Sequence, residues 1–385
     1  MLFSKVLSMP MLIQLILCFV ISLIISLYAI PIIVRVDRSL KFYDEPNERS
    51  SNSNSIPTLG GIAIFFSFIF TTNIGMLGYS LPELNFIVGA MLLVFFVGLK
   101  DDLANLSPLN KLLAEIIAAC IIVFPGDIRF SNLHGLFGFT EIGILPSALI
   151  TIFAILIIIN AVNLTDGIDG LAASLGIMIS FILGIWFFLS GHLNYSILCF
   201  SLVGALSGFF YFNVYGTKNK IFMGDTGSLV LGTIIAILII QFNEFNIDQQ
   251  QPYAIQSVPA ISFGILAYPL MDIMRVVLIR IIQHRSVFGA DKNHLHHRLL
   301  LLGFPHHKAT FMILGINILF ILIVFGLHSL GILRLTFYIF ITGSLLFMIP
   351  ALVIRKRKLI RNDDPVQQLL MPEFKNQTFG ITDSI

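Results

Sequence analysis

The chain has 385 residues, 57% hydrophobic and 11% charged, with a formal net charge of +2 and a mean hydropathy of +0.93. A water-soluble domain carries roughly 25% charged residues, so this composition cannot cover a soluble body of that size, and lipid is the solvent for most of the chain. The small net charge argues against nucleic acid as a partner held through its phosphates.

A transmembrane helix needs about 20 mostly apolar residues. On that basis the sequence predicts an all-α, polytopic membrane protein with eleven spans, near residues 11–34, 58–78, 84–100, 110–125, 144–162, 168–190, 194–212, 226–242, 258–282, 310–328 and 333–354. The first apolar stretch is longer than the 7–15 residues, roughly, of a signal-peptide core, and no small-x-small cleavage site follows it, so it reads as a span. The fourth is short enough to be tilted or re-entrant. Residues 1–354 form one membrane domain. Residues 355–385 are a polar tail that opens on Arg-Lys-Arg-Lys and has no expected fold of its own. Cys18, Cys120 and Cys199 lie in apolar runs without metal-ligand or redox spacing and read as small hydrophobes.

Lys and Arg collect on the cytoplasmic side of membrane proteins. Nineteen of them fall in one set of alternate loops plus the tail, and three (Lys5, Arg129 and Arg334) in the other. This predicts an outside N-terminus and a cytoplasmic C-terminus. Four polar clusters then fall on the cytoplasmic side: Asp101-Asp102, residues 160–169 (NAVNLTDGID), residues 220–228 (KIFMGDTGS) and residues 291–298 (DKNHLHHR).

Each cluster has a plain and a chemical explanation. Asp101 and Asp102 follow a span at its negative dipole end, where two adjacent carboxylates repel unless a cation offsets them. They are either a metal or general-base site or a solvated stop signal. Asp166 and Asp169 stand three apart at the start of the sixth span, as in a capping box. Gly167 and Gly170 also permit close backbone approach, and a helix N-terminus attracts phosphate. Asp225 opens the eighth span, as a cap or as an oxygen ligand for Mg²⁺, which bridges one or two carboxylates to substrate phosphates. Six of the nine histidines (His284, His294, His296, His297, His306 and His307) lie in and around the last cluster. A zinc site is one reading, although no Cys is near to complete the set; the others are a sugar-diphosphate contact made with Arg298 and a bland surface loop.

Five motifs in order, YDEPNERS…IPTLGG, GLKDD, NAVNLTDGIDGLA, KIFMGDTGSL and DKNHLHHRL, running from about Tyr43 to Phe304, resemble those of the polyprenyl-phosphate N-acetylhexosamine-1-phosphate transferases. That is the family of WecA, TagO and the peptidoglycan enzyme MraY, and the histidine motif is closer to the WecA/TagO branch. The resemblance implies transfer of a sugar-1-phosphate, by default GlcNAc-1-phosphate, from a UDP-N-acetylhexosamine to undecaprenyl phosphate. UMP is released in this first membrane step of cell-envelope glycan synthesis. It implies an active site on the cytoplasmic face of the bacterial inner membrane and a Mg²⁺ cofactor, with Mn²⁺ as a substitute. Asp225 would bind the metal, and Asp101 and Asp102 would act near the acceptor phosphate, one of them as base. Asn163, Asp166, Asp169 and Asn213 would hold the nucleotide. His294, His296 and His297, with Arg298, would meet the diphosphate or sugar, and Lys111 the lipid phosphate. The chain departs from the family at residues 50–54, Ser-rich where Lys or His is usual after Arg49, and before Lys220, where Pro is absent and the segment is about two residues longer. The oligomeric state is open, a homodimer included. A phospho-MurNAc-pentapeptide transferase is the alternative within the family. A secondary transporter is the alternative outside it, although transporters place ionisable residues at the midplane rather than at span ends.

Overall fold

The computed structural model describes residues 2–40, 56–251, 253–284 and 293–362. Tyr43 to Ser50, residues 51–54, Asp291 and Lys292 therefore lie outside the described residues. The helices are α1 (Leu2–Leu40), α2 (Gly60–Gly75), α3 (Leu84–Ala104), α4 (Pro108–Val123), α5 (Ile144–Thr165), α6 (Leu171–Leu189) and α7 (Leu193–Tyr215). They continue with α8 (Gly224–Glu244), α9 (Val258–Ile265), α10 (Ala267–Ile282), α11 (Leu295–Leu301), α12 (His306–Gly326) and α13 (Ile332–Asn362). Eight of them (α1, α3, α5, α6, α7, α8, α12 and α13) are long and apolar enough to cross a bilayer, and the chain is a multi-pass membrane protein. The other three predicted spans correspond to shorter pieces: α2 and α4, with 16 residues each, and the broken pair α9–α10. α13 continues past residue 354, where the polar tail was expected to begin.

The bundle is built around α8. Its apolar window is 94% buried, against 22% for α1 and α13. A helix hydrophobic all round belongs inside a bundle, and α8 is packed by α2, α3, α5 and α6. Small residues let the backbones meet, as membrane helix interfaces require. A Cβ on Gly61 would collide with the Gly227 backbone, and one on Gly98 with Asp225 and Thr226. The IPTLGG segment docks on the strand-like run before α8 through Gly60 N to Phe222 O (3.0 Å), Gly61 N to Met223 O (2.9 Å) and Phe222 N to Pro57 O (2.8 Å).

Two features depart from the predicted arrangement. The fold is not purely helical: β1 (Asn132–Leu136) and β2 (Phe139–Glu141) form an antiparallel hairpin between α4 and α5. Its turn relies on Gly135 and Gly138, both at φ +84°, a conformation open to glycine. The hairpin base is tied to α5 and α8 by Phe130 N to Thr151 Oγ1 (2.9 Å) and Ser131 Oγ to Glu244 Oε2 (2.6 Å). The predicted ninth span is split at Leu266 because Pro269 has no N–H for the carbonyl of Ile265. Asn317 on α12 repairs the break: its Nδ2 donates to Ile265 O (3.0 Å) and its Oδ1 accepts from Tyr268 N (2.9 Å). In lipid every such backbone group needs a partner.

Candidate active site

The carboxylate end of α3, the start of α4, the α5–α6 loop and the N-terminus of α8 converge at one end of the bundle. Asp101 and Asp102 lie inside the last turn of α3 rather than in a loop. Asp102 caps α8 across the bundle: its Oδ1 accepts from Asp225 N (2.7 Å), and its Oδ2 from Thr226 N (2.9 Å) and Thr226 Oγ1 (2.5 Å). Those N–H groups have no partner within the helix, and an anion is favoured at that end. Asp101 Oδ1 accepts from Leu106 N (2.5 Å) and closes the α3–α4 turn. Ser107 then caps α4, with Pro108 at its first position, and this aims Lys111 back at the carboxylates. Lys111 Nζ lies 2.7 Å from Asp225 Oδ1 and 3.3 Å from Asp101 Oδ2. Asn163, from the last turns of α5, donates to Asp225 Oδ1 (2.5 Å) and Ser228 Oγ (2.8 Å).

The capping reading of the α5–α6 loop is corrected. Gly170, at φ +77°, stands at the N-cap of α6, and Asp166 is the C-cap of α5, its backbone N–H donating to Asn163 O. The Asp166 carboxyl is pushed well above its ordinary value by burial and then by the charges of Asp225, Asp102 and Asp169. Asp169 is held within the protein, with Oδ2 2.7 Å from Lys220 Nζ and 3.6 Å from His306 Nδ1. Burial alone would raise it, but the hydrogen bonds and charges of His306 and Lys220 prevail and hold it below the ordinary carboxylate range. Asn213 is buried with both ends of its amide occupied. Its Oδ1 accepts from Gly170 N (2.6 Å) and its Nδ2 donates to Ile221 O (2.8 Å). It staples two motif loops together, Gly170 of the α5–α6 turn to Ile221 before α8.

The histidines reach the same place. His296 Nε2 faces Gly167, where a Cβ would strike the imidazole ring, so the histidine motif touches the Asp166 loop. His294 and His296 lie parallel, with ring centroids 5.7 Å apart and planes at 7°, and His297 tilts against His296 at 4.3 Å. Burial and the neighbouring His297 hold His296 down to about 3, so it is neutral under physiological conditions. Arg298 lies one helical turn from His294, its Nη2 3.5 Å from Asn293 Oδ1.

Three buried carboxylates inside helices were not singled out by the sequence motifs: Asp37 on α1, 2% exposed, and Glu115 and Asp272. Glu115 is 1% exposed on α4, one turn below Lys111, and accepts from Asn160 Nδ2 (2.6 Å). Asp272 is 4% exposed on α10 and binds His294 Nδ1 at 2.9 Å. A buried ionisable residue in an apolar helix marks function by default, and that signal points to Glu115 and Asp272.

The donor set suits a hard divalent cation. Asp101 and Asp225 share Lys111 as their ion-pair partner, and Asp166 lies close enough to feel the charge of Asp225. Among the described residues no group of three or more His, Cys, Asp or Glu forms a ready-made metal cage. Mg²⁺ needs none, since it takes one or two carboxylates, waters and substrate phosphates.

A sequence profile described as glycosyl transferase family 4 matches residues 84–243. The chain is similar to the "Probable undecaprenyl-phosphate N-acetylglucosaminyl 1-phosphate transferase" of Bacillus subtilis (strain 168), 30% identical over 333 residues, which cover 86% of this chain and 89% of that protein. It is also similar to the undecaprenyl-phosphate alpha-N-acetylglucosaminyl 1-phosphate transferase of Escherichia coli (strain K12), 29% identical over 283 residues, 72% of this chain and 74% of that one. The protein of that name from Yersinia pestis is 27% identical over 277 residues, 70% of this chain and 72% of its own. With the motif loops assembled at one end of the bundle and these likenesses spanning most of the chain, the protein belongs to the WecA-like polyprenyl-phosphate sugar-1-phosphate transferases of glycosyl transferase family 4.

Proposed function

We propose that this enzyme transfers GlcNAc-1-phosphate from UDP-GlcNAc to undecaprenyl phosphate at the cytoplasmic face of the bacterial inner membrane, with release of UMP. The observation that carries the reading is the meeting of Lys111, Asp101, Asn163 and Asp225, with Asp225 at the N-terminus of the most buried helix.

The acceptor's phosphate oxygen attacks the phosphorus that bears the sugar. One P–O bond forms, the P–O bond to UMP breaks, and UMP leaves with the electron pair. One pyrophosphate linkage replaces another, so no external energy source is required. The obstacle is repulsion between two anions, and positioning together with fixed positive charge lowers it. Lys111 supplies that charge beside the acceptor. Asp101, whose Oδ2 faces Lys111, is placed to take a proton from a monoprotonated acceptor phosphate. Asp102 holds the α8 N-terminus so that Asp225 projects into the site. Asn163 orients Asp225, and the Asp166–Asp169 loop lines the nucleotide side. His294, His296 and His297 with Arg298 face the diphosphate, where neutral His296 acts as a hydrogen-bonding group and not as a cation. Asp225, with Asp101 beside it, would hold Mg²⁺, which supplies Lewis-acid neutralisation of the diphosphate oxygens when bound.

The test is incubation of purified protein with undecaprenyl phosphate, Mg²⁺ and a panel of UDP-sugars, measuring UMP and the lipid-linked product. UMP release with UDP-GlcNAc that depends on the lipid acceptor supports the reading. Release only with UDP-MurNAc-pentapeptide would move the enzyme to the other branch of the family. Uptake into liposomes without any UMP would replace the reading with transport.

A further inference from the structure

α10 carries two polar side chains on one face, Tyr268 and Asp272, four residues apart and therefore stacked one turn over the next. Both touch the histidine motif from behind. The Tyr268 hydroxyl lies 3.4 Å from His296 Nδ1, and Asp272 Oδ2 lies 2.9 Å from His294 Nδ1. The other Asp272 oxygen accepts from Leu295 N (2.9 Å) and from Arg275 Nη2 (2.8 Å), and that Arg275 nitrogen also donates to Asn293 O (2.5 Å). Three consecutive residues, Asn293, His294 and Leu295, are thus pinned to one carboxylate–guanidinium pair. The pair is set in place by the break at Pro269, which Asn317 splints.

A carboxylate accepts and never donates when ionised, so the hydrogen in the His294 contact sits on Nδ1. That leaves Nε2 of His294 as the atom turned away from Asp272. A carboxylate behind an imidazole fixes its tautomer and ring orientation, and loss of such a partner typically costs about 10–100-fold where it has been measured at metal sites. Resting on the transferase reading above, we propose that Asp272 is a positioning residue: it holds His294 by Nδ1 and presents Nε2 to the phosphates of the sugar nucleotide. Arg275 pairs with Asp272 at 2.8 Å and keeps it in register, and the Tyr268 hydroxyl lies against His296 Nδ1.

The test is a double-mutant cycle on the full-length protein in nanodiscs, with UDP-GlcNAc, undecaprenyl phosphate and Mg²⁺. Asp272→Asn and Asp272→Glu are each measured alone and on a His294→Gln background. On the wild-type background Asp272→Asn lowers kcat by about 10–100-fold while KM for undecaprenyl phosphate stays within about twofold, and Asp272→Glu, which keeps the charge, recovers part of the loss. On the His294→Gln background either change costs little further, because the group being positioned is already gone. Wild-type kcat in Asp272→Asn, or the same fold loss on both backgrounds, would overturn the proposal. Should Asp272→Asn not fold, Asp272→Glu carries the cycle with the same two readings. A wild-type protein that releases no UMP from any UDP-sugar would instead overturn the transferase reading, a result obtained before any variant is compared.

Discussion

The Lys111 ammonium lies 2.7 Å from Asp225 Oδ1 and bridges to Asp101 Oδ2 at 3.3 Å, joining residues from α3, α4 and α8 in one contact. The side chains are only partly shielded, at 18% exposed for Lys111 and 30% for Asp225, so the pair contributes modestly to stability. Its importance is chemical. Lys111→Met removes the fixed cation beside two anionic phosphates and lowers kcat by about a hundredfold or more, with little change in melting midpoint. Steady-state UMP release alongside a thermal melt checks both halves.

Asp102 makes the opposite prediction. Its oxygens are engaged by the first turn of α8, so Asp102→Ala leaves free N–H groups at the head of the central helix. Loss of a cap costs about 0.5–2 kcal/mol. The melting midpoint falls, and activity falls with it because Asp225 loses its setting. Asp102→Asn, which keeps one acceptor, lies between. A loss of activity in Asp102→Ala with an unchanged midpoint would instead put Asp102 in the chemistry.

Gly167→Ala tests the junction between the aspartate loop and the histidine motif. The added methyl meets the His296 ring. The ring must move, and kcat falls by about one to two orders of magnitude, as for a displaced catalytic group. His296→Gln removes the clash, so Gly167→Ala costs little more on that background.

His296 also carries a pH signature. Its folded value, about 3, lies below the roughly 6.5 of an unperturbed histidine. Below 6.5 the unfolded chain therefore binds a proton that the folded chain refuses. By linkage, stability falls as pH drops from about 6.5 towards 3, and this contribution is flat above that window. His296→Gln removes that part of the slope. Melting midpoints at pH 7 and pH 5 for the two proteins measure it, and equal slopes would show that His296 is not held neutral.

The parts of the site that were legible in the sequence are those written contiguously. Asp101-Asp102, NLTDGID, GDTGS and HLHH each announce themselves as polar runs at span ends, and the charge bias of the loops groups them on one side. The parts that were not legible depend on distant partners. Nothing local says that Asp102 caps a helix beginning at Gly224, or that both ends of the Asn213 amide are already occupied. Asp166 reads as a cap because Asp169 follows three residues later, yet Gly170 takes the N-cap since only its left-handed backbone makes the turn into α6. Glu115 and Asp272 sit in mostly apolar helices, and nothing local reveals which distant neighbours (Asn160 and His294) they meet. Residues 258–282 read as one unbroken span, and both the break at Pro269 and its repair by Asn317, 48 residues later, are tertiary facts. The hairpin of β1 and β2 is too short for an alternating pattern to stand out.

The most direct test of the account is the metal dependence of Asp225→Asn compared with wild type. Purified wild-type enzyme with UDP-GlcNAc and undecaprenyl phosphate releases UMP in Mg²⁺, falls silent in EDTA and recovers on added Mg²⁺. Asp225→Asn, folded to the same melting midpoint, loses at least about a thousandfold in kcat and is not rescued by excess metal. Full turnover by Asp225→Asn, or wild-type turnover undiminished in EDTA, would contradict a site in which the head of α8 gathers a divalent cation and two phosphates.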